Sequence, residues 1–361
     1  MLNAPVGSRS FVPFTTERLT VRAMLASDVT TFATYRNHPD VARYQDWALP
    51  YTRDLAHQLI DEMDGIDGPV PGEWVQLAID ARDGLVGDLA VFVDTDVSTA
   101  MIGYTVDPTH QGRGYATEAV GALVDRLFDR LRLHRIAATL DPANIASARL
   151  LERLGFRYEG CGLKAAHVRG EWADDDRYAI LAGERRAWRE RSTEPPSTLR
   201  LVEITRDNLD RVERLATHRS QQRFVSTMQE SFTDAFLPEV VGGRPVEPWL
   251  RAIEADGEPV GFVMLGTRSD ANPETYLWRL LIDARHQGRG MGRRALTLVA
   301  EHLAAEGDTV LKTSWVDGPG GPEGFYRHLG FEPTGEIDDG EVVATIPIDR
   351  LFTATADHTE V

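Results

Sequence analysis

The chain has 361 residues, 42% of them apolar, and a formal net charge of −17. That length allows two domains, no apolar run approaches the ~18 residues of a membrane span, and the acidic balance weighs against a nucleic-acid partner. Cys161 is the only cysteine, which excludes an intrachain disulfide and multi-cysteine zinc sites. Residues 1–10 lack the basic-then-apolar layout of a secretory leader, so a cytoplasmic protein is expected.

Alternation over residues 19–22 predicts a strand. A helix is expected from Ser27, read as its N-cap with Asp28 in the first turn. Residues 74–79 and 87–93 read as strands paired around Asp83-Gly84. Residues 101–106 form a further strand that runs into a glycine-rich loop. The apolar stripe Ala119, Val120, Leu123, Val124, Leu127, Phe128 and Leu131 then marks a long helix. A strand over 134–140 and a helix over 147–154, stopped by Gly155, complete the set. The acidic run Asp174-Asp175-Asp176 reads as a turn rather than a metal site.

The order then repeats. Strands are expected over 259–266, 275–282 and 309–313, a helix carries Ala295, Leu296, Val299 and Leu303, and a short helix over 325–329 ends at Gly330. Two registered motifs make the repeat explicit. Gln111-Gly112-Arg113-Gly114-Tyr115-Ala116 recurs as Gln287-Gly288-Arg289-Gly290-Met291-Gly292, 176 residues later. Leu154-Gly155-Phe156 recurs as Leu329-Gly330-Phe331, 175 residues later. We therefore expect a tandem of one domain, over 15–190 and 199–351, with a proline-bearing linker over 191–198 and a tail over 352–361.

A strand that ends in closely spaced glycines and enters a helix exposes backbone N–H groups to a pyrophosphate. Neither copy ends in the Gly-Lys-Ser/Thr of a nucleoside-triphosphate loop. A dinucleotide fingerprint needs a third glycine where these copies have Thr117 and Arg293. The coenzyme A loop is the option left.

On these motifs both halves resemble the GNAT superfamily of acyl-CoA-dependent N-acetyltransferases. The first half is similar to the ribosomal-protein-alanine acetyltransferases and their small-molecule-resistance relatives. Its marks are Thr16-Glu17-Arg18-Leu19, Gly103-Tyr104, the run Gly114 to Ala119, Asn144 with Ser147, and Gly170-Glu171-Trp172-Ala173-Asp174. The second half resembles bacterial diamine and polyamine acetyltransferases, through the run Leu277 to Asp283 and Gly324-Phe325-Tyr326-Arg327-His328. The resemblance implies an α/β (α+β) chain of two tandem GNAT folds, each a mixed, mainly antiparallel central sheet flanked by helices. It implies acetyl-CoA as cosubstrate and no metal. The implied acetyl-CoA contacts in the first half are Val106, Gln111, Gly112, Arg113, Gly114, Tyr115, Ala116, Thr117 and Asn144. In the second half they are Leu281, Ile282, Gln287, Gly288, Arg289, Gly290, Met291, Gly292 and Arg293.

Acetyl transfer needs a neutral amine, and deprotonating a free alkyl amine at pH 7 costs about 4.6 kcal/mol. The departing thiolate also benefits from a proton donor. The resemblance gives that role to Tyr326, four residues before Gly330. The matching residue in the first half is Leu151, which cannot donate. There the resemblance offers Ser147 at the sulfur and Asn144 on the pantetheine arm, although an Asn–Ser pair also suits a helix N-cap. No acid occurs over 99–105 or 275–281, and Met101 stands where relatives of the first half carry glutamate. The remaining base candidates are Asp46, Glu171 and Asp174 in the first half and Glu230, Asp234 and Glu239 in the second. Trp47, Trp74, Trp249 and Trp278 either line acceptor pockets or fill core. The expected function is acetylation of a primary amine on a small polycation, a polyamine or an aminoglycoside-like antibiotic. The alternatives are acetylation of a protein N-terminus, or one catalytic half beside a degenerate acyl-CoA-binding one. A monomer or homodimer is expected, with neither nucleic acid nor membrane as partner.

Overall fold

A computed structural model describes residues 10–270 and 272–353. The chain divides into two units, Met1–Arg191 and Ser192–Val361. Unit 1 contains β1 (Phe14–Thr15), β2 (Thr20–Ala23), β3 (Trp74–Ala81), β4 (Gly84–Val93), β5 (Thr99–Val106), β6 (Arg135–Leu140), β7 (Arg157–Val168) and β8 (Glu171–Leu181). They form one sheet in the order β1-β2-β3-β4-β5-β6-β8-β7. Its helices are α1 (Val29–Arg36), α2 (Pro39–Ala42), α3 (Arg53–Glu62), α4 (Tyr115–Leu131), α5 (Ile145–Arg153) and α6 (Ala182–Glu190).

Unit 2 contains β9 (Leu199–Val202), β10 (Val240–Val241), β11 (Arg244–Pro245), β12 (Pro248–Ala255), β13 (Glu258–Gly266), β14 (Thr275–Ile282), β15 (Val310–Val316), β16 (Glu332–Asp338) and β17 (Glu341–Pro347). Seven of these form a sheet in the order β16-β17-β15-β14-β13-β12-β9, and β10–β11 is a separate ribbon. The helices are α7 (Leu209–Val212), α8 (Met228–Phe236), α9 (Met291–Ala305), α10 (Glu323–Leu329) and α11 (Arg350–Thr353).

The period-2 pattern of the strands and the stripe on the long helices meet in one core per unit. Val75, Leu77 and Ile79 of β3 and Leu89 and Val91 of β4 face the Ala119, Val120, Leu123, Val124 and Leu127 stripe of α4. In unit 2, Val263 and Leu265 of β13 face Ala295, Leu296, Val299 and Leu303 of α9. Each fully buried Leu or Val contributes roughly 1.5–3 kcal/mol, so these faces fix which way each sheet is covered.

One parallel pair in each sheet opens the site. β5 and β6 keep only three register pairs, Thr99–Arg135, Ala100–Ile136 and Met101–Ala137. β14 and β15 likewise keep three, Thr275–Leu311, Tyr276–Lys312 and Leu277–Thr313. Beyond them the strands diverge, and both ladders are antiparallel on their outer sides. Gly87 and Gly261 face the ends of the diverging strands. A Cβ on either would sit 2.3 Å from the Thr105 carbonyl or 2.4 Å from the Leu281 carbonyl. Only glycine permits that approach.

Three expectations change. Ser27 lies inside a 3-10 turn, Ala26–Asp28, and Asp28 does the capping, accepting the Leu25 N–H at 2.8 Å while pairing with Arg22. The Asp174–Asp176 run is no turn. It lies within β8, where Asp174 meets Lys164, and Asp176 is buried under Tyr158. Paired partners offset the poor strand propensity of aspartate. The segment expected as a linker is strapped to unit 2: Arg289 donates to the Glu194 carbonyl at 2.7 Å and Arg294 to the Pro196 carbonyl at 2.6 Å. Most of the expected tail, 354–361, lies outside the described residues; Phe352 and Thr353 belong to α11.

An ion-pair network ties β6 to β7 across β8. Glu159 accepts from Arg135 at 2.8 Å and from Arg157 at 3.0 Å, which pulls its pKa down to about 2. A depressed carboxyl stabilises the fold above its unfolded pKa and loses that contribution as pH falls through the folded one. Glu159→Gln is therefore expected to lower the melting temperature most above pH 5. The gap to wild type should close between about pH 4.5 and pH 2. A gap unchanged at pH 2.5 in thermal melts would mean that the network does not titrate as described.

Candidate functional site

Both glycine loops are built the same way. Gln111 donates its side-chain amide to the Val106 carbonyl at 3.0 Å, and Gln287 donates to the Ile282 carbonyl at 2.9 Å. Each glutamine thus ties the loop to the end of its strand. Gly112 and Gly114 have φ of 74° and 79°, and Gly288 and Gly290 have 79° and 70°. These left-handed values are strained for any other residue. Gly114 and Gly290 are the N-caps of α4 and α9, and no side chain of the described residues caps either helix. A glycine N-cap has no side-chain oxygen to offer the first-turn N–H groups, which leaves that place to a ligand anion.

The space before them is open. A Cβ on Gly112, Gly288 or Gly290 would meet nothing within 4 Å. Paired left-handed glycines, helix N-termini capped by no side chain of their own N-cap residue, and free space fit a diphosphate. Gly292 serves a different end, because a Cβ there would lie 3.2 Å from the Phe325 ring, so the small residue lets α10 lean on α9. Arg113 and Arg289 turn away from the clefts, toward the Thr109 and Glu194 carbonyls. Unit 1 adds a clamp: Glu118, in the first turn of α4, holds Arg18, and Arg18 donates to the Arg113 carbonyl at 2.9 Å.

Each loop opens onto a cleft at its strand divergence, of about 1150 Å³ in unit 1 and about 1200 Å³ in unit 2. Val106, Gln111, Gly112, Tyr115, Ala116 and Thr117 lie on the unit 1 cleft, as do Gly114 and Asn144. Ile282, Gln287, Gly288, Met291, Gly292 and Arg293 lie on the unit 2 cleft beside Gly290. Leu281 does not: its side chain is buried on the opposite face of the sheet with Phe262 and Met264.

Tyr326 reaches the unit 2 cleft from α10. Its ring stacks on Trp315 at 5.5 Å and meets Phe331 edge-on at 5.2 Å, and its hydroxyl faces Thr313, the last residue of β15 paired with β14. Burial pushes its pKa up to about 12, so the phenol keeps its proton at neutral pH. Ser147 lies on the unit 1 cleft at the third position of α5. Asn144 is the N-cap of that helix, and its side-chain oxygen accepts the Ser147 N–H at 3.1 Å. Leu151, the counterpart of Tyr326, is fully buried in core.

A residue read only as a family mark also belongs to this site. Tyr104 of β5 places its hydroxyl 2.7 Å from Ser147 Oγ, and burial pushes the phenol pKa well up. The Gly-Tyr pair marks the position, but nothing local in the sequence announces a partner 43 residues away.

The base candidates fare unevenly. Asp46, Glu171 and Asp174 do not line the unit 1 cleft. Glu230 lines the unit 2 cleft but is used in capping α8, accepting the Thr227 N–H at 2.8 Å. Asp234 pairs with Arg279 at 2.8 Å. Glu239 remains exposed on the cleft. Of the four tryptophans, only Trp278 lines a cleft. Trp47 covers Arg36, Trp249 stacks on His302, and Trp74 is exposed against Phe92.

The clefts differ in charge. Asp338, Asp339 and Glu341 of the β16–β17 hairpin line the unit 2 cleft, with no ion-pair partner among the described residues, alongside Arg223, Arg279, Arg293 and Lys312. Ser314 donates to Glu341. In unit 1 the cleft carries Arg18, Arg43, Arg149 and Arg153 with Asp40, Asp141 and Glu118, of which Glu118 is taken by Arg18, and it has no acidic hairpin.

Residues 18–157 match the family described as Acetyltransferase (GNAT) domain, and residues 211–331 match that described as Acetyltransferase (GNAT) family. The chain belongs to the GNAT acetyltransferases. Its relatives include Probable N-acetyltransferase YjcK of Bacillus subtilis, 43% identical over 101 residues, which are 27% of this chain and 56% of that protein. Uncharacterized N-acetyltransferase YnaD of Bacillus subtilis is 31% identical over 170 residues, 47% of this chain and 97% of that one. The ribosomal protein uS5-alanine N-acetyltransferase of Escherichia coli is 36% identical over 73 residues, 20% of this chain and 38% of that enzyme. The chain is thus an N-acetyltransferase with two GNAT domains, and GNAT enzymes use acetyl-CoA. Its helices, over the described residues, include none long and apolar enough to cross a membrane.

Proposed function

We propose that unit 2 transfers the acetyl group of acetyl-CoA to a primary amine of a small polycation such as a polyamine. The observation that carries this reading is one cleft that combines an open glycine cradle, a protonated phenol and an acidic rim. Acetyl-CoA, a substrate here, supplies the acetyl group as a thioester. The loop amides hold its diphosphate, and the Tyr326 hydroxyl donates to the sulfur as the carbon–sulfur bond breaks. Asp338, Asp339 and Glu341 hold the remote ammonium groups of the acceptor, while its reacting nitrogen loses a proton to solvent.

Unit 1 supports a second reading, in which the acceptor is a protein N-terminus. Its cleft lacks the acidic rim, and the uS5-alanine relative acts on a ribosomal protein. The two readings separate in a thiol-release screen of polyamines, aminoglycosides and N-terminal peptides. Polyamine turnover is expected, and Glu341→Gln should raise the polyamine KM roughly 5-fold or more at low salt, the effect of about 1 kcal/mol of lost attraction. Peptide turnover without polyamine turnover would reject the polycation assignment.

A further inference from the structure

The tandem repeat lets each unit serve as a control for the other. At the offset of 176 that aligns the glycine loops, Tyr104 of β5 corresponds to Leu280 of β14. At the offset of 175 that aligns the Leu-Gly-Phe runs, Tyr326 of α10 corresponds to Leu151 of α5. Each unit therefore has a phenol and a leucine at these two places, in opposite arrangement. Unit 2 takes its phenol from the helix wall, and unit 1 takes its phenol from the strand wall. Leu151 packs into core, and Leu280, partly buried against core, lines the unit 2 cleft.

The two phenols end in comparable settings. Tyr326 is buried and Tyr104 partly buried, both lie on the cleft, and each hydroxyl faces a hydroxyl side chain: Thr313 for Tyr326 and Ser147 for Tyr104. Ser147 is itself fixed, because Asn144 holds its N–H at 3.1 Å. The unit 2 residue at the Ser147 position is Pro322, which has no hydroxyl to orient. The Tyr104 hydroxyl lies 2.7 Å from Ser147 Oγ and 3.3 Å from the Ser147 carbonyl, and a phenol is a stronger donor than an alkyl hydroxyl, so in the arrangement inferred here Tyr104 donates to Ser147 Oγ. The Ser147 hydrogen is then free to point into the cleft, strengthened by the bond behind it.

We infer that Tyr104 is a positioning residue for unit 1: it orients the Ser147 hydroxyl toward the thioester sulfur, so that unit 1 is catalytically competent without a helix tyrosine. The acceptor nitrogen bonds to the acetyl carbon as the carbon–sulfur bond breaks, and the electron pair goes to sulfur. Ser147 O–H donates to that sulfur, and the proton shed by nitrogen returns through solvent, so no oxidant or further reactant is needed. Tyr104 stays protonated throughout. This inference rests on the acetyl-transfer reading of the chain.

The test uses the full chain carrying Gly290→Val, which disables the unit 2 cradle, and follows CoA release with the best amine or peptide acceptor. Tyr104→Phe keeps the ring, and thermal melts verify the fold. It is expected to lower kcat about 10-fold with the KM for acetyl-CoA within twofold. Ser147→Ala should slow turnover as much, and the double variant should be no slower than Ser147→Ala alone. A purely structural Tyr104 would instead multiply the two losses. Unchanged kcat in Tyr104→Phe, a multiplied loss in the double variant, or a silent Gly290→Val chain beside an active wild type each overturns the inference and leaves the unit 2 reading standing. A wild-type chain that acetylates nothing removes both.

Discussion

Acetyl-CoA titrated into the intact chain is expected to fill two sites, and Gly290→Val or Gly114→Val to leave one. The cause is local. Both residues sit at left-handed φ, 70° for Gly290 and 79° for Gly114, immediately before the first helical N–H groups. A β-branched side chain there costs about 2 kcal/mol or more, which the loop relieves only by turning its amides away from the diphosphate. A binding loss of that size is roughly 30-fold, enough to empty a site at working concentrations. At Gly114 a Cβ would also come within 3.3 Å of Arg18, loosening the clamp on Arg113. Calorimetry reads the count directly. Two sites surviving in either variant would mean that these loops do not form the cradles.

Tyr326→Phe should lower the kcat of unit 2 by about 100-fold, the scale of a lost proton donor, with little change in the KM for acetyl-CoA. The measurement belongs in a Gly114→Val chain, where turnover comes from unit 2. The substitution keeps the ring stacked on Trp315 and edge-on to Phe331, and removes one hydrogen bond, worth about 1 kcal/mol of stability. Its pH signature is also fixed. With its pKa pushed up to about 12, the phenol is protonated across pH 7 to 10 and adds no falling limb to the wild-type profile there. A Tyr326→Phe chain that kept full turnover would assign the donor elsewhere.

Much of this was legible in the chain because it was local. Two left-handed glycines, the strand before them and the stripe after them lie within about 30 residues, and helix and strand periods differ enough to be told apart. The repeat doubled every such signal. The glutamine of each loop was legible as a motif member but not in its role, since its bond to the Val106 or Ile282 carbonyl depends on how the loop folds back. Tyr104 shows the limit more sharply. An aromatic residue on an alternating strand fits a core as well as a cleft, and only the placement of α5 brings Ser147 to it. Asp174 and Asp176 of β8 were unreadable for the same reason, because their partners Lys164 and Tyr158 come from β7. The acidic rim of unit 2 needed the β16–β17 hairpin folded over Ser314 before Glu341 and the Asp338-Asp339 turn could be seen to line the cleft.

The strap on the second glycine loop bears on where the chain can be divided. Arg289 and Arg294 spend their side chains on carbonyls of Glu194 and Pro196, before the first strand of their own sheet begins at Leu199. A fragment started at Leu199 would carry every strand and helix of the second repeat, yet would leave both arginines without those anchors. The boundary set by hydrogen bonding therefore lies upstream of the one set by secondary structure. Proteolytic nicking between Pro196 and Leu199 would act on nucleotide binding before it touched the core.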